Sequence, residues 1–198
     1  MSITTTGRQL TPAGQRILDV ASDLFYKHGI RAVGVDMIAR EADVTKKTIY
    51  DRFGSKDGLI EQYLAARDRM WRTVILEHIS DDALTPDQKI LAIFDSLDKW
   101  FQNQMQPRGC SFINAYAELA DSDHPGRPII EGEKRWLREL MLKLATEAGR
   151  EHPDDLATQL HILHEGAYIA YSITGQHDAA RQARSAAKTL IAASSKAS

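Results

Sequence analysis

Residues 35–53, VDMIAREADVTKKTIYDRF, place the tightest limit on what this chain can become. Val35, Ile38 and Ala39 give one apolar face to a first segment, Ile49 and Phe53 give one to a second, and the turn EADV between them is too tight for anything but a steep crossing. Helices this short are not stable alone in water, so each must pack on the other and on a further element. The arrangement that satisfies this is a helix-turn-helix.

Local signals fix its second half. Thr45 is a good N-cap, and Val44 before it can close on Ile49 as a hydrophobic staple. With Ile49 set inward and a step of about 100° per residue, Lys47 and Asp51 point outward, while Thr48 and Tyr50 lie on the flanks. Lys46 and Lys47 stand at the helix N-terminus, the end that meets base edges in the major groove, where lysine can donate to O6 and N7 of guanine. Thr48 and Tyr50 suit the phosphate walls of that groove, and Lys56, in the first turn of the next helix, offers another phosphate contact. The bland alternative is a solvated basic face. Net charge does not decide between them: the chain carries −2 overall, but residues 1–71 hold 11 Lys+Arg against 9 Asp+Glu and the remainder 14 against 18.

The rest of the chain also reads as helix, which makes the fold all-α. Thr11 caps a first helix with Pro12 at its first position, and Gly29 stops it. Ser55 caps a long fourth helix through Ile79, Thr85-Pro86 opens a fifth, and GCSFINAYAELAD is a sixth. DSDHPGRP reads as a loop, Trp136 to Leu144 lie on a seventh helix closing at Gly149, and two more run over about 154–174 and 178–193, with SSKAS fraying after them. The expected division is an N-terminal head over 11–71, with the helix-turn-helix at about 34–53, joined through the fourth helix to a C-terminal domain over 72–198.

The stretch ASDLFYKHGIRAVGVDMIAREADVTKKTIYDRFGSKDGLI, and above all VTKKTIYDRFGSK, closely resembles the TetR family of bacterial transcriptional regulators. The resemblance implies that Thr48, Tyr50 and Lys56, with Thr45 beside them, contact phosphates and that Lys46, Lys47, Asp51 and Arg52 read bases. Gly34 stands where the family commonly has a Ser or Thr cap, and Asp43 where the turn commonly has Gly; glycine caps acceptably and aspartate tolerates left-handed geometry. The implied function is a ligand-responsive homodimeric repressor that binds a near-palindromic double-stranded operator and is released by a small-molecule effector.

The C-terminal part offers matching features. Leu156, Leu160, Leu163, Ala167 and Ala170 form one seam of the eighth helix, with Ile162, Gly166, Ile169 and Ile173 beside it, and Ala183, Ala186 and Leu190 continue on the ninth. An apolar arc this wide needs more than one neighbour, which predicts a two-fold dimer interface on the first seam and the ninth helix. Trp100, Phe101, Met105, Phe112, Tyr116, Trp136, Met141, Tyr168 and Tyr171, with polar Asn114 and His164, are the candidates for a mostly apolar effector pocket.

Other classes fare worse. Cys110 is the only cysteine, so no disulfide or cysteine zinc site is available, and no nucleophile motif makes it a hydrolase. His161 and His164 supply two potential metal ligands, too few for a site, and no cofactor is expected. With no apolar run of about 18 residues and no signal peptide, no membrane partner is expected and the cytoplasm is the expected location.

Overall fold

The computed structural model describes residues 10–103, 108–119 and 123–195. Met105, the end of the expected sixth helix at Ala120 and Asp121, and the last three residues lie outside that set. Among the described residues there are nine helices and no strands: α1 (Pro12–His28), α2 (Val35–Glu41), α3 (Lys46–Phe53), α4 (Lys56–His78), α5 (Pro86–Gln102), α6 (Ser111–Glu118), α7 (Arg127–Glu147), α8 (Pro153–Thr174) and α9 (Ala179–Ala193).

The starts follow the chain's own capping chemistry. Thr11 Oγ1 accepts from Gly14 N, Thr45 Oγ1 from Thr48 N at 3.1 Å and Ser55 Oγ from Gly58 N at 3.0 Å, while Thr85 and Gln88 form a reciprocal capping box. Asp43, at φ 52°, takes the left-handed position in the α2–α3 turn, and Arg16 Nε fastens that turn to α1 by donating to Ala42 O at 2.9 Å. One start differs from expectation. α7 begins inside the breaker-rich stretch, because Gly126 adopts helical geometry and Pro128 falls in the first turn, where its missing N–H costs nothing.

Buried side chains form one continuous cluster from α1 to α9. α4 belongs to both ends of it: Tyr63 packs on Phe25 of α1, with ring centroids 5.6 Å apart, and about two turns further along Trp71 meets Trp100 of α5 edge to face. α5, α7, α8 and α9 pack together as a bundle. Its polar tie is the buried Arg150, which pairs with Asp87 at the start of α5 and donates to Ser194 O after α9.

The bundle corrects the seam expected to face a partner. Leu156, Leu160, Ala167 and Ala183 are buried within the protomer, and Leu163, Ala170, Ala186 and Leu190 are half-buried at its edge. The outward apolar residues of α8 are those of the neighbouring seam, Ile162, Ile169 and Ile173, exposed by 64%, 44% and 73%, with the exposed Gly166 between them. Periodicity finds an apolar arc but does not say which neighbour covers which half of it.

Candidate functional site

α3 is held from below and open above. Ile49 is its one buried residue, Phe53 and Val44 are half-buried against the same core, and Gly54, at φ 74°, ends the helix by donating to Tyr50 O at 2.8 Å. Lys46, Lys47, Tyr50, Asp51 and Arg52 are exposed, and Thr48 is half-buried beside its cap. Two of the cations are already paired. Lys46 Nζ lies 2.6 Å from Asp36 of α2, whose hydrogen bond raises the ammonium's pKa, and Lys47 Nζ donates to Asp51 one turn on at 2.7 Å. Exposed pairs of this kind are weak and can exchange for DNA contacts. Arg52 has no hydrogen bond or ion pair among the described residues.

Two of the proposed phosphate ligands already have structural roles. Thr45 commits its hydroxyl to the cap and to Thr48 Oγ1 at 2.9 Å. Lys56 Nζ donates to Ile30 O at 2.7 Å, and its half-burial lowers the ammonium's pKa. One of its three donors is thereby committed to bracing the α1–α2 connection.

That connection also touches the C-terminal part. Arg31 N donates to Glu118 Oε2 and Arg31 Nε to Glu118 O, both at 2.8 Å, and Gly29 is pressed so close that an added Cβ would meet Glu118 at 2.8 Å. Tyr26 OH donates to Gly109 O at 3.2 Å and accepts from Arg108 N at 3.0 Å. The segment leading into α6 is therefore gripped by α1.

The same segment lines an internal cavity of about 20 Å³ between α4, α5, α6, α7 and α8. Trp100, Phe112 and Tyr168 line it, together with Arg67, Trp71, Gly109, Cys110, Ser111, Glu133 and Lys134. The other expected pocket residues lie elsewhere. Phe101 and Tyr171 stack on each other with centroids 4.0 Å apart, Met141 is core, and His164 is buried behind the wall among the rings of Trp71, Phe94 and Tyr168. Tyr116 faces outward under the Arg127 guanidinium at 3.9 Å, Trp136 is half-buried under Arg72 at 4.5 Å, and Asn114 donates to Arg108 O. These aromatics share the composition of a pocket wall, but the turn of each helix aims them at other neighbours.

Sequence reasoning missed the polar half of the wall. Glu133 and Lys134 sit in EGEKRW, which reads as a solvated face, yet Glu133 is 1% exposed. Lys134 Nζ lies 3.2 Å from Glu133, donates to Glu165 at 2.9 Å and approaches Cys110 Sγ at 3.6 Å. Burial raises the Glu133 carboxyl despite Lys134. For Glu165 burial also pushes upward, but the His164 contact and the Lys134 ammonium prevail and hold it down to about 2. Burial lowers His161 and His164, favouring their neutral forms, and raises the Cys110 thiol, which disfavours the nucleophilic thiolate. Among the described residues, no group of three or more His, Cys, Asp or Glu is arranged to hold a metal ion, and no helix is long and apolar enough to cross a membrane.

Comparison with known proteins bears on both regions. The family pattern of bacterial regulatory proteins of the tetR family matches residues 17–63, and that of the tetracyclin repressor-like C-terminal domain matches residues 86–187. The HTH-type transcriptional regulator YjdC of Escherichia coli is 25% identical over 153 residues, covering 76% of this chain and 78% of its own. The uncharacterized HTH-type regulator YvkB of Bacillus subtilis is 38% identical over 73 residues, 37% of this chain and 38% of its own. Among solved structures, a TetR-family transcriptional regulator from Streptomyces coelicolor superposes with a TM-score of 0.83 at 28% identity, over 91% of this chain and 94% of that one. The reduced form of E. coli NemR shares the fold, with a TM-score of 0.80 at 18% identity over 95% of this chain and 100% of that one.

Proposed function

Because the chain belongs to the TetR family of DNA-binding transcriptional regulators, we propose that it works as a homodimeric repressor whose hold on a near-palindromic operator is released by a small molecule. The observation that carries this is α3 itself: a helix anchored by one buried isoleucine, with lysines, an arginine, a tyrosine and a threonine turned away from the core. Lys46, Lys47, Asp51 and Arg52 read bases in this scheme, and Thr48 and Tyr50 hold phosphates. Opening of the Lys46–Asp36 and Lys47–Asp51 pairs accompanies docking. Lys56 contributes to phosphate binding through the donors that Ile30 leaves free.

The exposed Ile162, Ile169 and Ile173 support dimerisation through the outward faces of α8 and α9, since a stripe of large apolar residues on a helix surface is costly in water. Two α3 helices related by a two-fold axis then read half-sites about one helical turn or more apart. The division into a head over 11–71 and an effector and dimerisation domain over 72–198 fits this assignment of roles, with α4 shared between them. The effector occupies the cavity between α4 and α8, and its signal has a short route to the head: the residues before and at the start of α6 line the cavity and are held by Tyr26 of α1. Ligand and DNA need only prefer different settings of this contact, and coupling of about 1–3 kcal/mol is typical. Action on chromosomal DNA requires that the protein work in the bacterial cytoplasm.

Selection of the purified protein on fragments of its own genome at ~0.15 M salt tests the reading. Enrichment of one short palindrome is expected. Uniform recovery of all fragments would refute operator recognition.

A further inference from the structure

Lys134 bridges two carboxylates, the buried Glu133 at 3.2 Å and the half-buried Glu165 at 2.9 Å, and burial favours the neutral forms of the adjacent His161 and His164. The cluster thus carries one negative charge in excess. Glu133 is 1% exposed and its Oε2 makes no hydrogen bond. The cation that meets this oxygen, the Lys134 ammonium, is shared with Glu165, so the buried carboxylate is only partly compensated and its burial still costs free energy.

Arg67 of α4 lines the same cavity. Its guanidinium rests on two ring faces, 5.1 Å from the centroids of Tyr26 and of Trp100, and makes no hydrogen bond or ion pair among the described residues. Arg67 therefore holds the place of a cation, over an aromatic face in a cavity that a buried acid also lines, but holds it loosely. It is half-buried, with a long stem that can carry its charge to solvent. The free volume of about 20 Å³ admits one water. A ligand must accordingly replace a side chain, and Arg67 is the charged wall residue without an ionic partner. A neutral occupant would expel Arg67 and leave the Glu133 cluster uncompensated, and an anion would add to its excess.

Building on the effector-chamber reading above, we propose that the effector is a compact aromatic monocation that displaces Arg67 from Trp100 and pairs with Glu133. Trp71, Phe112 and Tyr168 supply the remaining apolar contacts. Because Arg67 also touches Tyr26, its departure removes a contact between α4 and α1 as the ligand enters.

The test is calorimetric titration of the full chain with benzamidinium, benzamide and benzoate at matched ionic strength. Benzamidinium is expected to bind about tenfold or more tighter than either isostere, as a charge-assisted bond plus ring stacking provides. Glu133→Gln should abolish that preference, and Arg67→Ala, which removes the internal competitor, should tighten benzamidinium binding. Preference for benzoate or benzamide, an unaltered preference in Glu133→Gln, weaker binding in Arg67→Ala, or no binding of any probe would each overturn the cation assignment. The chamber reading has its own arm: Ser111→Leu, which fills the cavity without any ligand, must change operator affinity while the far-UV spectrum stays native. If it does not, the chamber itself is refuted.

Discussion

Ile49→Ala should silence the DNA-binding face while leaving the bundle folded. Ile49 is fully buried and is the only buried side chain of an eight-residue helix. Removing three carbons forfeits about 0.8 kcal/mol each, or about 2.4 kcal/mol of transfer free energy. A residual void of about 40 Å³ would add roughly 1 kcal/mol at about 24 cal/mol per Å³. The total of about 3–4 kcal/mol is too much for α3 to absorb, because a helix of two turns has no stability of its own and its N-cap contributes only about 1 kcal/mol. The loss should be local. All three tryptophans, Trp71, Trp100 and Trp136, lie in the second half of α4, in α5 and in α7, so the thermal transition followed by tryptophan fluorescence should move little. Operator affinity should fall by more than about a hundredfold, at about 1.4 kcal/mol per tenfold. Amides of 46–53 should lose their exchange protection, and Ile49→Val should cost only about 1 kcal/mol. Affinity within about threefold of the parent in Ile49→Ala, or a collapse of the tryptophan transition, would refute the claim that one buried side chain anchors α3.

Four further expectations are cheaper to check. Lys56→Ala should flatten the dependence of log K on log salt by about 0.9 for each phosphate that is no longer neutralised, leaving sequence preference intact; an unchanged slope would make Lys56 purely a brace for Ile30. Lys47→Ala should change which bases are preferred, whereas a uniform fall in affinity on every sequence would contradict base reading. Ile169→Glu should yield monomers by sedimentation velocity with an unchanged helical spectrum, and dimers that persist would move the interface off the outward face of α8. His164 supplies the pH test. Its folded pKa is depressed by burial, so the unfolded chain binds more protons, and the stability this contributes is present above about pH 6.5 and is lost as pH falls from there toward the folded value. The melting temperature should drop between pH 7 and pH 5, and His164→Leu should flatten that slope; equal slopes would mean that His164 does not titrate against folding.

Local structure was legible in the order of residues alone. Thr11, Thr45, Ser55 and Thr85 each cap a helix whose start follows from the chain, because a cap is a bond between a side chain and an amide three residues away. The helix-turn-helix was legible for the same reason: the outward direction of Lys47 and Asp51 follows from Ile49 alone. Packing settled everything that depends on a neighbour's identity. Helical period marks Leu160 and Ile162 as parts of one apolar arc, but only the packing of α5, α7 and α9 buries the first and leaves the second exposed. Glu133, Lys134 and Glu165 are polar letters on two different helices, and only the packing of α7 on α8 brings them together. Burial of a charge is a property of what surrounds it, and a one-dimensional pattern records only the axis of its own helix.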